Sequence, residues 1–198
     1  MAFNMPERCK EDSQDQFAEY RQRSQWVRDN PGGESNAQLG ERTPEASNLL
    51  NPSFCALILY SAVAEYQKKA KSGMDFPLLY LMLPIMLHHS TCIRINSRTN
   101  MLVWLQRNSD SLVGFPERAR NLVPFTNEAI EFLLHQHIIC INGGKLAIEK
   151  PISKSKTDSF IAADSEIAAC INKAAHLGRW FYNMRSDESI YAAWGVRP

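Results

Sequence analysis

From Asn48 onward apolar side chains recur at helical spacing, whereas the first 47 residues show little of that order. Between Asn51 and Gly73, Phe54, Leu57, Ile58, Leu59, Tyr60, Val63 and Tyr66 cover most of a helix circumference, which predicts a helix buried on several sides. Asn51 followed by Pro52 is a helix start, because proline's missing N–H costs nothing in the first turn; Gly73 reads as the stop. Asp75-Phe76-Pro77 opens a second helix, expected to kink or end at Pro84, where an intrahelical hydrogen bond is lost. Thr91 to Asn96 reads as a short strand, and Thr99 as the cap of a helix carrying Met101, Leu102, Trp104 and Leu105.

The stretch from Phe115 to Lys150 is the most strongly patterned. Pro116 opens a short helix to Leu122, Pro124 is expected to break it, and Thr126 to cap a helix with Ala129, Ile130, Leu133 and Leu134 on its inner face. Two short strands, Ile138 to Ile141 and Lys145 to Glu149, flank Asn142-Gly143-Gly144, a turn suited to the positive φ angles of a tight hairpin. Helices followed by a hairpin give the order of a winged-helix module. A basic, serine-rich loop comes next. Asp164 or Ser165 then caps a long helix with Ile167, Ile171, Ala174, Ala175, Gly178 and Phe181 on one face, where Gly178 lets another backbone approach closely. Ser186 caps a last helix through Ile190, Tyr191 and Trp194, and its apolar character implies a docked end. The fold expected is mainly α with a small β-hairpin: a winged-helix-like module within a compact helical domain.

Charge divides the chain at the same place. Residues 1–47 hold six basic and nine acidic residues, net −3, which leaves +4 for residues 48–198. The first part reads as a polar extension and linker. Within it Ser13 to Asp29 places Phe17, Tyr20, Ser24 and Val27 on one side, either of a loose tail or of a tethered helix that docks on a partner or on the body. A formal charge of +1 overall excludes a polycation built to coat nucleic acid or anionic lipid. The longest apolar run, Phe76 to Leu87, is twelve residues with two prolines, short of the roughly 20 that a membrane span needs. With no apolar segment behind the basic residues of the first ten, and five widely spaced cysteines without a CxxC pair, the expectation is a cytoplasmic protein in a reducing compartment, away from membranes.

Candidate chemistry is sparse. His88, His89 and Cys92, with His135, His137 and Cys140, have spacings a zinc ion accepts, but the histidines also suit a helix end and Cys140 an apolar strand; no metal is expected. No nucleophile elbow, phosphate-binding loop or zinc-protease motif is present, so neither an enzyme nor a cofactor is expected. The helix that would read DNA offers Asn127, Glu128, Glu131, His135 and Gln136, and two carboxylates repel a phosphate-lined groove. Lys145, Lys150, Lys154 and Lys156 are the candidate phosphate contacts. A winged-helix DNA-binding transcriptional regulator stays open as the alternative, and an orphan homodimer as a third reading.

Three groups of residues resemble a known family. Asn51-Pro52-x-Phe54-Cys55-Ala56-Leu57 and Leu83-Pro84-x-x-Leu87-His88 resemble its opening helices. Its central signature is similar to Gly114-Phe115-x-Glu117-Arg118-Ala119-Arg120-x-Leu122-Val123-Pro124-Phe125-Thr126-x-Glu128-Ala129. Its C-terminal signatures resemble His176-Leu177-Gly178-Arg179-Trp180-Phe181 and Ile190-Tyr191-Ala192-Ala193-Trp194-Gly195-Val196-Arg197-Pro198. The family is the middle component of bacterial three-component ABC systems, an arrangement that includes Lamassu-type defence against phage and plasmids. The resemblance covers roughly residues 48–198 and implies a non-catalytic accessory subunit. Its implied partners are an SMC-like ABC ATPase that senses DNA and an effector, often a nuclease, with DNA met only indirectly or weakly.

An adaptor needs a docking surface, and interfaces favour arginine and aromatic side chains at their centre. The candidate interface residues are therefore Arg118, Arg120, Arg179, Tyr191, Trp194, Val196 and Arg197. For the arginines a fold-keeping role is as natural, through ion pairs within the domain. Trp180 and Phe181 are expected in the core.

Overall fold

Asn51 begins the first helix as its sequence implies: its side chain accepts from the Ser53 amide at 2.8 Å, with Pro52 at the first helical position. A computed structural model describes residues 50–153, 165–184 and 186–197, together with Phe17. Helix α1 (Pro52–Ala70) is the central element, with Cys55, Ala56, Ile58, Leu59, Ser61, Ala62 and Val63 all buried. An all-round apolar helix must be covered on several sides. Here α7 (Ser165–Met184), α6 (Val123–His135), α2 (Leu79–Met86) and the small sheet provide that cover.

The sheet has three antiparallel strands, β1 (Met74–Asp75), β2 (Ile139–Asn142) and β3 (Lys145–Ile148), in the order β1-β3-β2. Register pairs Met74 with Leu146 and Ile139 with Ile148. Gly143 and Gly144, with φ of 57° and 76°, make the two-residue turn, and both values belong to the primed turn that matches strand twist. Gly73 does not end α1; Lys71, in the left-handed conformation, does. Gly73 instead lies against β3, where a Cβ would stand 2.8 Å from the Leu146 carbonyl oxygen.

Several other expected boundaries differ in the structure. Residues expected as a strand form α3 (His89–Arg94), whose first turn closes on the His88 carbonyl, with the His88 ring 2.7 Å from the Thr91 hydroxyl. Pro84 lies inside α2 without ending it. Pro124 does not break a helix but sits in the first turn of α6, where its missing N–H is harmless. Thr126 is consequently interior rather than a cap, its hydroxyl donating to the Leu122 carbonyl at 3.0 Å. The cap of α4 (Met101–Arg107) is Asn100, one residue beyond Thr99. The remaining elements are α5 (Phe115–Asn121), α8 (Asp187–Ala193) and 3-10 turns at Phe76–Leu78 and Ser109–Leu112.

Helices α1 and α7 lie side by side where Gly178 meets the Ala62 carbonyl so closely that a Cβ would stand 2.2 Å from the oxygen. Phe17 is buried and lies edge-on to Phe76 at 6.2 Å, so this residue of the N-terminal extension packs on the body. The rest of Ser13 to Asp29, Asp164 and the linker lie outside the described residues. Among the described residues no helix is long and apolar enough to cross a membrane.

Candidate partner interface

Helix α8 is short, and its position is set by what its apolar side must cover. Ser186 caps it, accepting from the Ser189 amide. Ile190, Tyr191 and Trp194 share the inner side and are buried. Trp194 joins an aromatic cluster, 4.7 Å from Phe115 and 6.1 Å from Trp104 between ring centres, and Trp104 lies 5.6 Å from Trp180. This cluster fastens α4, α5, α7 and α8 together. The buried Trp104 and Trp180 indoles donate to the Arg94 and Thr99 carbonyls. The Trp194 N–H has no partner among the described residues.

Tyr191 and Trp194 were expected at a partner surface because they stand near the chain end. Both are instead inside. Trp194 is 0% exposed, and the Tyr191 hydroxyl donates to the Pro77 carbonyl at 2.5 Å. An apolar helix end covers its own body before it offers anything to a partner. Trp180 and Phe181 are core residues, as expected. Val196 is half-buried against the same core, its amide bonded to the Tyr191 carbonyl, and Arg197 is exposed.

The arginines separate into two kinds. Arg118 reaches back from α5, donating to the Val113 and Ser111 carbonyls at 2.7 Å each, with its guanidinium over the Phe115 ring. It closes the 109–113 turn, so its work is internal. Arg179 donates to Glu65 at 3.2 Å and lies 3.1 Å from His176 Nδ1, tying α7 to α1. Burial and the Arg179 guanidinium hold the His176 ring below the ordinary histidine range. Arg120, in contrast, is exposed on α5. Arg120 and Arg197 are therefore the candidate interface residues with open side chains.

The lysines do not assemble into a described basic strip. Lys145 donates to both Asp75 carboxylate oxygens at 2.8 Å across the β1–β3 pair. Lys150 is exposed, and Lys154 and Lys156 lie outside the described residues. On α6, Asn127 is not an outward residue: it is buried, accepting from the Tyr80 hydroxyl at 2.7 Å, while Glu128 and Glu131 are half-buried and His135 and Gln136 exposed. The ring of His88 meets the Thr91 hydroxyl, and Cys92 is half-buried on α3. Among the described residues no group of three His, Cys, Asp or Glu side chains is arranged to hold a metal ion.

Four large apolar side chains that sequence reasoning did not single out as surface are exposed. They are Ile93 on α3, Leu102 on α4, Val113 after the second 3-10 turn and Phe132 on α6. Arg94, next to Ile93, bonds Asp110 at 2.5 Å, so α3 and the turn before Val113 are held together. On α3 and α4 no signal in the sequence separates Ile93 and Leu102 from their inward neighbours, because each helix is too brief to establish a period, whereas on α6 Phe132 falls outside the inner face of Ala129, Ile130, Leu133 and Leu134.

No curated protein and no solved structure matches the chain. The family model for Middle Component 3 of the ABC-three component (ABC-3C) system matches residues 39–198, beginning within the polar extension and running to the last residue. That span takes in the aromatic cluster, the turn that Arg118 closes and the sheet. The chain belongs to the Middle Component 3 family of ABC-three component (ABC-3C) systems.

Proposed function

We propose that this chain is a non-catalytic adaptor joining an SMC-like ABC ATPase that senses DNA to an effector, often a nuclease, in a Lamassu-type defence complex against phage or plasmids. The observation that carries the reading is the family match across residues 39–198, since a middle component works with the other components of its system. Packing supports it. The signature residues Phe115, Arg118, Arg179, Trp180 and Trp194 are spent on holding the domain together, which suits a rigid body with partners on its outside. Docking is then assigned to the exposed Arg120 and Arg197 first, with the half-buried Val196, next to Arg197 in sequence, after them.

The alternative, a winged-helix DNA-binding regulator, draws on the strand order β1-β3-β2 behind a helix pair. Against it stand the carboxylates of α6 and the engagement of Lys145 by Asp75. The two readings separate on the purified full-length chain. The adaptor reading expects no nuclease or ATPase activity, DNA binding no tighter than the non-specific micromolar range, and co-purification with the other components encoded beside it. Tight sequence-dependent DNA binding with a steep salt slope, and no retained partner, would overturn it.

A further inference from the structure

Three of the four large apolar side chains exposed among the described residues fall in one short stretch of the chain. They are Ile93, Leu102 and Val113, at 56%, 48% and 74% exposure. Apolar residues scattered singly over a surface need no explanation, but a cluster does. The elements that carry these three are fastened to one another. The Trp104 indole of α4 donates to the Arg94 carbonyl at the end of α3 at 2.9 Å, and the Arg94 guanidinium pairs with Asp110 in the second 3-10 turn. Arg118 of α5 donates to the Ser111 and Val113 carbonyls on the other side of that turn. Beneath them Trp104, Phe115 and Trp194 are buried. The turn that leads to Val113 therefore lies against the end of α3 that carries Ile93.

Charge singles out the same stretch. Residues 88–121 hold five arginines against Asp110 and Glu117, a net +3 out of the +4 carried by residues 48–198. Arg94 is answered by Asp110, and Arg118 by two carbonyls. Arg98 and Arg107, on either side of Leu102 in sequence, and Arg120 on α5 are exposed and have no ion-pair partner among the described residues. An occupant must satisfy both features. A second copy of this chain would set one positive face against another. A nucleic acid would answer the arginines but leave three apolar side chains against sugar and phosphate. A protein segment that is both acidic and apolar answers both. We propose that the face built by α3, α4, the second 3-10 turn and α5 docks an acidic, amphipathic segment of another component of the system. Its carboxylates meet Arg98, Arg107 and Arg120, and its apolar side chains cover Ile93, Leu102 and Val113. Apolar burial supplies the affinity, and the arginines set orientation and speed encounter. This rests on the adaptor reading and narrows it to one surface, of which Arg120 is part.

The test co-expresses the tagged full-length chain with the components encoded beside it. Photo-reactive benzoylphenylalanine replaces Val113, and in a control it replaces Phe132 on α6. The expected result is a cross-link from position 113, and not from position 132, to a segment of another component in which Asp and Glu outnumber Lys and Arg. In the complex without the photo-reactive residue, Val113→Asp should raise the dissociation constant for that component about tenfold, as loss of a central interface contact does. Arg98→Glu combined with Arg107→Glu should do the same, and Phe132→Asp should change it less than about twofold. Each variant should melt with the parent, since every changed side chain is exposed. A cross-link to a basic segment, to a second copy or to residues 1–47 would overturn the proposal. So would micromolar or tighter binding of duplex DNA that the double arginine variant abolishes and Val113→Asp leaves intact. If the components co-purify as well with Val113→Asp and the arginine variant as with the parent, this face falls while the adaptor reading stands. If the parent itself retains no component, the adaptor reading falls and takes this face with it.

Discussion

Gly178→Ala asks whether the close approach of α1 and α7 is real, because two effects of opposite sign compete there. Alanine favours a helix over glycine by about 1 kcal/mol, so at an open position the change would stabilise the protein. At Gly178 the new Cβ would stand 2.2 Å from the Ala62 carbonyl oxygen and 2.9 Å from its carbon. An ordinary carbon–oxygen contact is about 3.3 Å or more, so the helices must part by roughly 1 Å along their shared face. Neither atom belongs to a side chain that can swing away. Overpacking a core costs about 1–3 kcal/mol, more where backbone must move; a cost of about 4 kcal/mol less the propensity gain leaves a net loss near 3 kcal/mol. For a domain of this size that lowers the melting temperature by roughly 6–12 °C. Urea denaturation followed by circular dichroism measures it directly, with glycine and alanine forms compared at equal slope. A variant as stable as the parent, or more stable, would refute the packing argument.

Other substitutions sort internal from external residues. Trp194→Ala should cost about 3–5 kcal/mol through the cavity it leaves, so lost partner binding in that variant reports unfolding. Arg197→Ala and Arg120→Ala should stay within about 0.5 kcal/mol of the parent by the same denaturation assay, so binding they lose is docking. Arg118→Ala should lose about 1.5–3 kcal/mol with its two charge-assisted bonds, and Arg118→Lys should recover only part of it, because an ammonium cannot present the same planar fork. His176 is held below its unfolded value of 6.5, so the unfolded chain binds the extra proton first. Its contribution is present above about pH 6.5 and is lost as pH falls through the lower folded value. The melting temperature should therefore drop between about pH 7.5 and pH 5, and drop less in His176→Gln.

Local chemistry made parts of the fold legible. The Asn51-Pro52 start, the Asn-Gly-Gly turn and the Ser186 cap depend on neighbours in sequence, and each is where the residues place it. Gly178 could be read because a glycine in an apolar helical face has few other uses. The third strand was not legible: Met74–Asp75 is two residues long and has no period, and only its pairing with Leu146 and Lys145 defines it. Pro124 misled because proline breaks a helix only beyond its first turn. The site was less legible than the fold. Tyr191 and Trp194 look like anchors in sequence, and only the aromatic cluster shows that they anchor this chain to itself.

The claim that this chain is an adaptor makes bridging the quantity to measure. A tagged ABC ATPase component would be co-expressed with the effector, with and without this chain, and the effector retained on the tag quantified. The account predicts retention only when this chain is present, and reduced retention with Arg120→Ala or Arg197→Ala in a chain that melts normally. Equal retention with and without it would contradict the adaptor claim.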